Sequence, residues 1–340
     1  MSAKRLIRYG ITEYFSIVDL LHKIRRLCNR SDYNQPAPAK KKSTFIAGAK
    51  MAIRDNMAFE KLWGCSSMKN FNAKKKADEV ISWIRDYFNK EENKNCYAIV
   101  GVSGGCDSSV VLKLCTEALG AYRVIAVLMP NGVQNDIHYS YAVCDKCAIP
   151  QQNRYEININ TICDVFEDTM EEFLRYVSSD KLSGVLTNYP ARIRMSILYA
   201  VAAIHDGRVI NTNNLSEEWV GYSTKFGDSA GDLAPIANFT KTEVIAMGLA
   251  LKLPRFMVNK VPSDGLCGKT DEEKLGFTYN ILDRYIRTKE CDNEDVKKNI
   301  DELHYANIHK LKSIPKFYYR PDKERKEEND ENKTSGNSRE

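Results

Sequence analysis

The stretch that most restricts the fold covers residues 96–109 and reads CYAIVGVSGGCDSS. Residues 97–102 are apolar and β-branched, which is typical of a buried parallel strand, and from Ser108 onward the apolar spacing is that of a helix. Between them, Gly104 and Gly105 let the backbone approach a phosphate closely. Because a helix N-terminus presents unpaired N–H groups and a positive dipole end, the loop predicts a nucleotide-phosphate site.

The loop matches neither of two common phosphate-binding patterns. A P-loop needs a Lys-Ser or Lys-Thr pair after its glycines, and the dinucleotide fingerprint needs three glycines at fixed offsets. The sequence SGGCDS instead resembles the pyrophosphate-binding loop of the ATP pyrophosphatases, which cleave ATP between its α and β phosphates. This resemblance implies ATP contacts for Ser103, Gly104, Gly105, Cys106, Asp107, Ser108 and Ser109. The plainer alternative is a Gly-Gly turn in which Asp107 only caps the helix.

The composition indicates a globular protein without a membrane anchor. The chain has 340 residues, of which 43% are hydrophobic, so it can bury a large core as one large domain or two small ones. No apolar stretch approaches the roughly 20 residues that cross a bilayer, and the N-terminus lacks the continuous apolar segment of a signal peptide. We therefore expect a cytoplasmic protein with no membrane partner.

Cysteine usage and charge argue against two further kinds of site. Ten cysteines are scattered without the spacing of a disulfide framework, which fits a reducing compartment. Cys144 and Cys147 form an isolated CxxC pair that no second pair completes into a zinc set, so we expect neither metal nor redox chemistry there. The net charge of +5 is modest for this length, and no nucleic-acid partner is expected.

The chain divides into three regions. Residues 1–71 form an N-terminal extension with an amphipathic segment, predicted to be helical, and a Pro- and Lys-rich linker. Its helix either docks a partner chain or covers part of the body. Residues 72–320 carry the main domain. Residues 321–340 are highly charged, nearly free of apolar side chains and predicted to be disordered.

Helical segments and apolar strands alternate along the main domain. This alternation predicts an α/β fold with a doubly wound, mostly parallel sheet, helices on both faces and ligands at the carboxyl ends of the strands. The resemblance of the loop implies the same architecture, the adenine nucleotide alpha hydrolase-like fold with its PP-loop.

A long polar segment, residues 211–244, follows the last predicted strand and indicates which pyrophosphatase the chain resembles. A loop of this length inside a compact domain is usually functional. The segment is similar to that of the NAD⁺ synthetases. Ten residues keep the family's spacing: Thr212, Glu217, Gly221, Thr224, Lys225, Phe226, Gly227, Asp228, Asp232 and Lys241.

Further segments extend the resemblance over about residues 72–317. Residues 190–195, PARIRM, are similar to the family's ARxRM segment, and KVPSDGL and DEEKLGFTYNILDRYI are similar to its KxPTADL and PDExxLGxTYxxIDDYL segments. His309 and Lys310 match a His-Lys pair near the family's C-terminus. The chain departs from the family where Leu128 stands near a common Arg position, where Ser263 replaces a Thr, and in a shorter loop after Ser263.

The resemblance implies an ammonia-dependent synthesis of NAD⁺. The nicotinate carboxylate of deamido-NAD⁺ attacks the α phosphorus of ATP and expels pyrophosphate, and ammonia then displaces AMP. Positioning and charge neutralisation do most of the catalysis in such a transfer. The implied co-substrate is therefore ATP, and the implied metal ion is Mg²⁺, which prefers one or two carboxylates together with phosphate oxygens.

The resemblance also implies a role for each site residue. Asp107 and Glu217 would hold Mg²⁺. The expected catalytic residues are Asp107, Lys241 and Lys225. Beyond the loop, the ATP contacts would be Thr212, Lys241 and Ser263, and the deamido-NAD⁺ contacts would be Arg192, Lys225, Asp232, His309 and Lys310. Taken singly, each is as well explained as a surface charge or a packing residue, and only their joint order favours function.

The nitrogen source and the assembly state also follow from the resemblance. Glutamine-using relatives carry an additional amidase domain, for which residues 1–71 are too few, so we expect free ammonia or supply by a separate protein. Family members are commonly homodimers with the dinucleotide site near the subunit boundary, and a homodimer is expected here.

Two other classes of protein remain as alternatives. One is a different ATP pyrophosphatase, such as a tRNA-modifying enzyme or a GMP synthetase core, against which the TKFGD sequence argues. The other is a catalytically silent nucleotide-binding protein, which the presence of Asp107, Glu217 and Lys241 disfavours.

Overall fold

A computed structural model describes residues 71–260 and 270–319. Three predictions lie outside these residues: the helix and linker over residues 1–70, the ATP contact of Ser263, and the disordered tail over residues 321–340.

Helices and strands alternate through the first half of the described chain. In chain order the elements are α1 (Ala73–Asn89), β1 (Ala98–Gly101), α2 (Cys106–Leu119), β2 (Val124–Leu128), α3 (His138–Lys146), β3 (Arg154–Glu156), α4 (Asn160–Leu174), α5 (Ser179–Ile204), β4 (Arg208–Ile210), α6 (Leu215–Trp219), α7 (Lys241–Ala250), α8 (Arg255–Val258), α9 (Asp271–Leu275), α10 (Tyr279–Thr288) and α11 (Glu294–Leu311). None of these described helices is long and apolar enough to span a membrane.

The four strands form one sheet in the order β3-β2-β1-β4, and every pairing is parallel. Ala98 of β1 lies between Val124 of β2 and Arg208 of β4. The chain thus builds the sheet outward from β1, first to one side and then to the other. The predicted doubly wound parallel sheet is confirmed, and the carboxyl edge between β1 and β4 is the switch point where such folds bind ligands.

Alternate residues of each strand enter two different cores. On one face, Ala98 and Val100 of β1 pack with α1, α2 and α7. On the other face, Ile99 packs with Val201 and Ala202 of α5. Because helices cover both faces, β1 and β2 are apolar at successive positions, and all five residues of β2 are buried. Each fully buried aliphatic side chain contributes roughly 1.5–3 kcal/mol to stability.

Two element boundaries differ from the prediction, and both affect the site. Helix α2 begins at Cys106 instead of Ser108, so Asp107 lies in the first helical turn. An acid is favoured there by the positive end of the helix dipole. The polar segment over residues 211–244 also contains α6 and the start of α7, because N-capping by Asn214 and Thr240 stabilises helix starts that the composition hides.

Candidate active site

The predicted phosphate loop lies where β1 ends and α2 begins, at the carboxyl edge of the sheet. Gly105 is the N-cap of α2, and its N–H donates to Ser103 Oγ at 3.2 Å. Ser103 Oγ and Ser108 Oγ are 3.1 Å apart, and Ser109 Oγ donates to the carbonyl of Gly105 at 2.7 Å. The loop is therefore closed by its own hydroxyls at the N–H end of a long helix, an arrangement that suits an anion.

Gly104 holds the loop against α3. Its φ of +75° lies in the left-handed region that favours glycine. A Cβ built on Gly104 would lie 2.8 Å from Ser140 N and 2.9 Å from Tyr139 Cβ. Both the backbone angle and the close approach of α3 therefore require glycine at this position.

Three side chains of the loop are buried in the protein, and Ser108 is one of them at 4% exposed. Cys106 and Ser109 are 4% and 0% exposed, and Cys106 packs in the core that α1, α2 and α7 share. Burial raises the pKa of the Cys106 thiol, and the charge of Asp107 raises it further. A phosphate in the loop can therefore contact Cys106 and Ser109 only through their backbone groups. Cys106 is an unreactive core thiol.

A single ammonium joins the two predicted metal acids. Lys241, the first residue of α7, places Nζ 2.5 Å from Asp107 Oδ2 and 3.0 Å from Glu217 Oε1. Asp107 comes from the first turn of α2, and Glu217 comes from α6. The Lys241 side chain is 4% exposed, and the two acids are 15% and 16% exposed. The structure thus brings Asp107, Glu217 and Lys241 together beside the phosphate loop.

The charges of this cluster depend on one another. Burial lowers the pKa of the Lys241 ammonium, but Asp107 and Glu217 outweigh burial and raise it well above its ordinary value. Burial raises the pKa of Glu217 to about 7, with Lys241 opposing the rise and Asp107 adding to it. Lys241 is therefore a permanent cation, and it is what allows two acids to lie together away from water.

The donor set of the cluster fits Mg²⁺. This ion takes one or two carboxylates and completes its shell with phosphate oxygens and water. Asp107 and Glu217 offer two carboxylates close enough to share one cation. Within residues 71–260 and 270–319, no group of three or more His, Cys, Asp or Glu side chains is arranged to hold a metal ion. A carboxylate pair beside a phosphate loop suits an ion that is shared with ATP.

Asp283 anchors the segment that carries Glu217 and Lys241. It is 1% exposed, and its two oxygens accept from Ser216 Oγ at 2.5 Å and from the backbone N–H of Thr242 at 2.8 Å. Ser216 Oγ in turn accepts from the backbone N–H of Lys241 at 2.9 Å. One buried carboxylate of α10 thereby fixes both α6 and the N-terminus of α7.

We expect Asp283 to lower the stability of the protein as the pH rises from about 4 to about 6. Burial raises its pKa from 3.8 to about 6, although Ser216 and Thr242 oppose the rise. The unfolded chain ionises first and gains roughly 3 kcal/mol relative to the folded chain by neutral pH. Asp283→Asn should remove this dependence. The unfolding free energy of the variant minus that of the wild type, both measured with urea, should therefore be about 2 kcal/mol larger at about pH 7.5 than at about pH 4.5. If the difference in unfolding free energy between variant and wild type is the same at both pH values, the raised pKa is wrongly assigned to Asp283.

A second group of predicted residues meets where the polar segment contacts α5 and α11. Arg192 of α5 donates from Nε and Nη2 to the carbonyl of Lys225, each at 3.3 Å. Lys225 Nζ donates to the carbonyl of His309 at 2.8 Å. Lys310 Nζ donates to the carbonyls of Gly221 and Ser223 at 2.8 and 3.0 Å. The structure therefore brings Arg192, Lys225, His309 and Lys310 together.

Asp232 lies alongside β4, and Thr212 lies just after the end of β4. Asp232 Oδ2 accepts from the backbone N–H of Val209 at 2.8 Å, and Tyr199 Oη donates to Asp232 Oδ1 at 3.5 Å. Asp232 thus extends the free edge of the sheet. Thr212 follows β4 by two residues and precedes α6, at the same edge as the phosphate loop.

A family model described as NAD synthase matches residues 76–321. The chain belongs to the NAD synthase family. The resemblance that the sequence motifs indicated is thereby confirmed, and the matched residues include the phosphate loop, the polar segment and the His309-Lys310 pair.

Three similar proteins align with most of the chain. A protein from Thermococcus sibiricus named NH(3)-dependent NAD(+) synthetase is 37% identical over 221 residues, which are 64% of this chain and 82% of the relative. One of the same name from Alkaliphilus metalliredigens is 34% identical over 241 residues, covering 69% of this chain and 94% of the relative. The solved NMN synthetase from Francisella tularensis is 27% identical with a TM-score of 0.65, covering 74% of this chain and 100% of that one.

Two residues that support the site were not predicted from the sequence. Asn214 precedes Glu217 by three residues, the spacing of an N-cap, so its place at the start of a helix had a local signal. Its contact with Asp107 had none, because the two residues are 107 positions apart. Asp283 lies within an amphipathic helix, where an acid is ordinarily exposed, and no local pattern indicated that it is buried.

Proposed function

We propose that this protein is a carbon-nitrogen ligase that makes NAD⁺ from deamido-NAD⁺, ATP and ammonia. First, an oxygen of the nicotinate carboxylate bonds to the α phosphorus of ATP, and pyrophosphate leaves. Ammonia then bonds to the acyl carbon of the adenylate, AMP leaves and one proton is released. The observation that carries the proposal is the meeting of Asp107, Glu217 and Lys241 beside the phosphate loop, in a chain of the NAD synthase family.

The residues around the loop bind and orient ATP. The first N–H groups of α2 and the hydroxyls of Ser103 and Ser108 donate to the phosphates that leave as pyrophosphate. Lys241 neutralises charge on the phosphates, and because the acids hold its ammonium in place, little reorganisation is needed when ATP binds. Thr212 and Ser263 hydrogen-bond the nucleotide.

Asp107 and Glu217 hold the divalent ion of the reaction. Mg²⁺ bound by these carboxylates supplies charge neutralisation on the phosphate oxygens. Their own contribution is to present two negative charges on rigid helical turns next to the loop.

The group around Lys225 binds deamido-NAD⁺. This substrate carries two phosphates and a carboxylate, all anionic, and Arg192, Lys225 and Lys310 place three cations at one junction of α5, the polar segment and α11. His309 is exposed beside them. Asp232, at the neighbouring sheet edge, offers an acceptor for the hydroxyls of the dinucleotide.

The activity is tested by incubating the pure protein with deamido-NAD⁺, Mg-ATP and ammonium chloride and measuring NAD⁺ and AMP. We expect equal amounts of both products, and no product when glutamine replaces ammonium. A parallel reaction with nicotinate mononucleotide asks whether the chain prefers the smaller substrate, because one solved relative is named NMN synthetase. AMP formed only with tRNA or xanthosine monophosphate would indicate another pyrophosphatase, and ATP binding without turnover would indicate a silent protein.

We propose that two copies of the chain form a homodimer. Four apolar side chains of α4 and the turn after it, Ile162, Val165, Phe173 and Tyr176, are 46% to 87% exposed. Their spacing of 3, 8 and 3 residues places them on one helical face. An apolar face of this kind is favourable when another subunit covers it.

Phe173→Glu should convert the dimer to a monomer, because it places a charge in the centre of this apolar face. Light scattering after size-exclusion chromatography gives the mass, for which a value near 38.7 kDa is expected in the variant and about twice that in the wild type. Tyr122→Glu, an equally large change at a side chain exposed elsewhere, is the matched control. A wild-type protein that elutes as a monomer would refute the proposed dimer.

We propose that the enzyme works in the cytoplasm. The cysteines that the structure describes are free thiols, and all of these except Cys291 are buried. Free thiols persist in a reducing compartment.

A further inference from the structure

Asn214 connects the two acids of the cluster. Its Nδ2 donates to Asp107 Oδ1 at 3.1 Å, and its Oδ1 accepts from the backbone N–H of Glu217 at 3.0 Å. It is the N-cap of α6 and is 0% exposed. One buried amide therefore contacts the carboxylate of one acid and the backbone of the other.

The orientation of this amide is set by its partners. The backbone N–H of Glu217 is a donor, so the oxygen of the Asn214 amide must face it, and the nitrogen must face Asp107. An acid at this position would keep the acceptor but turn a second negative charge toward Asp107. Serine would keep the acceptor for the helix cap, but its single hydroxyl is one bond shorter than the amide and does not extend a second group to Asp107. Only a side chain with a donor and an acceptor at this spacing satisfies both neighbours.

Asp107 divides its two oxygens between two donors. Oδ1 accepts from Asn214, whereas Oδ2 pairs with Lys241 Nζ at 2.5 Å. Lys241 Nζ also donates to Glu217 Oε1 at 3.0 Å, and it lies at the end of a long flexible side chain. The amide is therefore the rigid partner that sets the angle of the Asp107 carboxylate, since Asn214 is itself fixed by the backbone of α6.

We propose that Asn214 is a positioning residue that sets the orientation of Asp107 relative to Glu217. This orientation in turn sets the affinity of the two acids for their divalent ion. This inference rests on the proposed function for the role of the two acids. Loss of a hydrogen-bond partner behind a metal-binding carboxylate typically weakens metal binding or activity by about 10- to 100-fold.

The test compares Asn214→Ser with Asn72→Ser, the same exchange at the N-cap of α1, where Asn72 accepts from the backbone N–H of Lys75. Binding of Mn²⁺, used as a paramagnetic probe, is measured by electron paramagnetic resonance in the presence of α,β-methylene-ATP. Asn214→Ser should weaken Mn²⁺ binding by about 10- to 100-fold and lower kcat by a similar factor. Its KM for deamido-NAD⁺ should stay unchanged. Asn72→Ser should match the wild type in Mn²⁺ affinity and kcat.

A purely structural role would give a different result. If Asn214→Ser lowers the urea midpoint but binds Mn²⁺ as tightly as the wild type, the inference is wrong. Should this variant fail to fold, Asn214→Asp keeps the size and the cap acceptor, and a kcat equal to that of the wild type would overturn the inference. Absence of NAD⁺ formation by the wild type would instead overturn the proposed function, and the Mn²⁺ comparison would still test Asn214.

Discussion

Asp107→Asn is expected to lower the rate of NAD⁺ formation by about 1,000-fold or more, because it removes one of the two negative charges that we propose hold the divalent ion. The amide has the shape of the carboxylate, and Lys241 keeps Glu217 as a partner. The cluster of two acids and one ammonium changes from a net charge of −1 to 0, so no buried cation is left uncompensated. We therefore expect the fold to persist while adenylation stops. Release of pyrophosphate, NAD⁺ formation and the urea midpoint are the measurements.

Asp295→Asn is the matched control for this variant. Asp295 also lies in the first turn of a helix, α11, but it is exposed. Its replacement should leave the rate of NAD⁺ formation close to that of the wild type. If Asp107→Asn turns over within tenfold of the wild type, Asp107 does not belong to the metal site.

Lys241→Met is expected to destabilise the protein by about 3–5 kcal/mol and to reduce NAD⁺ formation to background. Removing one partner of a buried ion pair leaves the other charge uncompensated, and the effect on stability is usually of this size. Here two acids, Asp107 and Glu217, would lose the ammonium that they share. Activity should be lost because, among the residues that the structure describes, only Lys241 pairs with both acids. Urea unfolding and the assay for NAD⁺ measure the two effects.

Two comparisons isolate the cause of this loss. Lys113→Met removes the cation of the Lys113–Glu117 pair on the surface of α2, and exposed pairs contribute at most about 1 kcal/mol. The double variant Lys241→Met/Glu217→Gln removes one of the stranded charges, so it should be more stable than Lys241→Met and equally inactive. If Lys241→Met unfolds at the same urea concentration as the wild type, its ammonium does not hold the acids together.

The fold and the phosphate loop could be predicted because their signals are local. An apolar β-branched run, a Gly-Gly turn and a helical apolar spacing follow one another within residues 96–119, and the structure forms β1, the loop and α2 there. Alternation of such units indicated a parallel sheet, because helices that cross over a sheet cover both of its faces. The exact start of α2 was missed, since the helix begins directly after Gly105, which has no side chain to cap it.

The site could be predicted only as a set of candidates. The order of motifs along the chain selected Asp107, Glu217 and Lys241, but no sequence pattern shows that one ammonium touches both acids. Burial was equally hidden: Cys106 and Ser109 belong to the loop motif, yet their side chains lie in the protein interior. The Asp107–Lys241 contact joins residues 134 positions apart, and local propensity does not encode such contacts.

The shared ammonium also has a consequence for biosynthesis of the protein itself. The loop and Asp107 leave the ribosome early, whereas Glu217 and Lys241 follow more than 100 residues later. A nascent chain that ends at β3 therefore displays a phosphate loop without its cation. Nucleotide that binds only the completed arrangement stabilises it by about 2.7 kcal/mol at 100 times its Kd. Bound nucleotide would therefore stabilise finished molecules and give partial ones no such stabilisation.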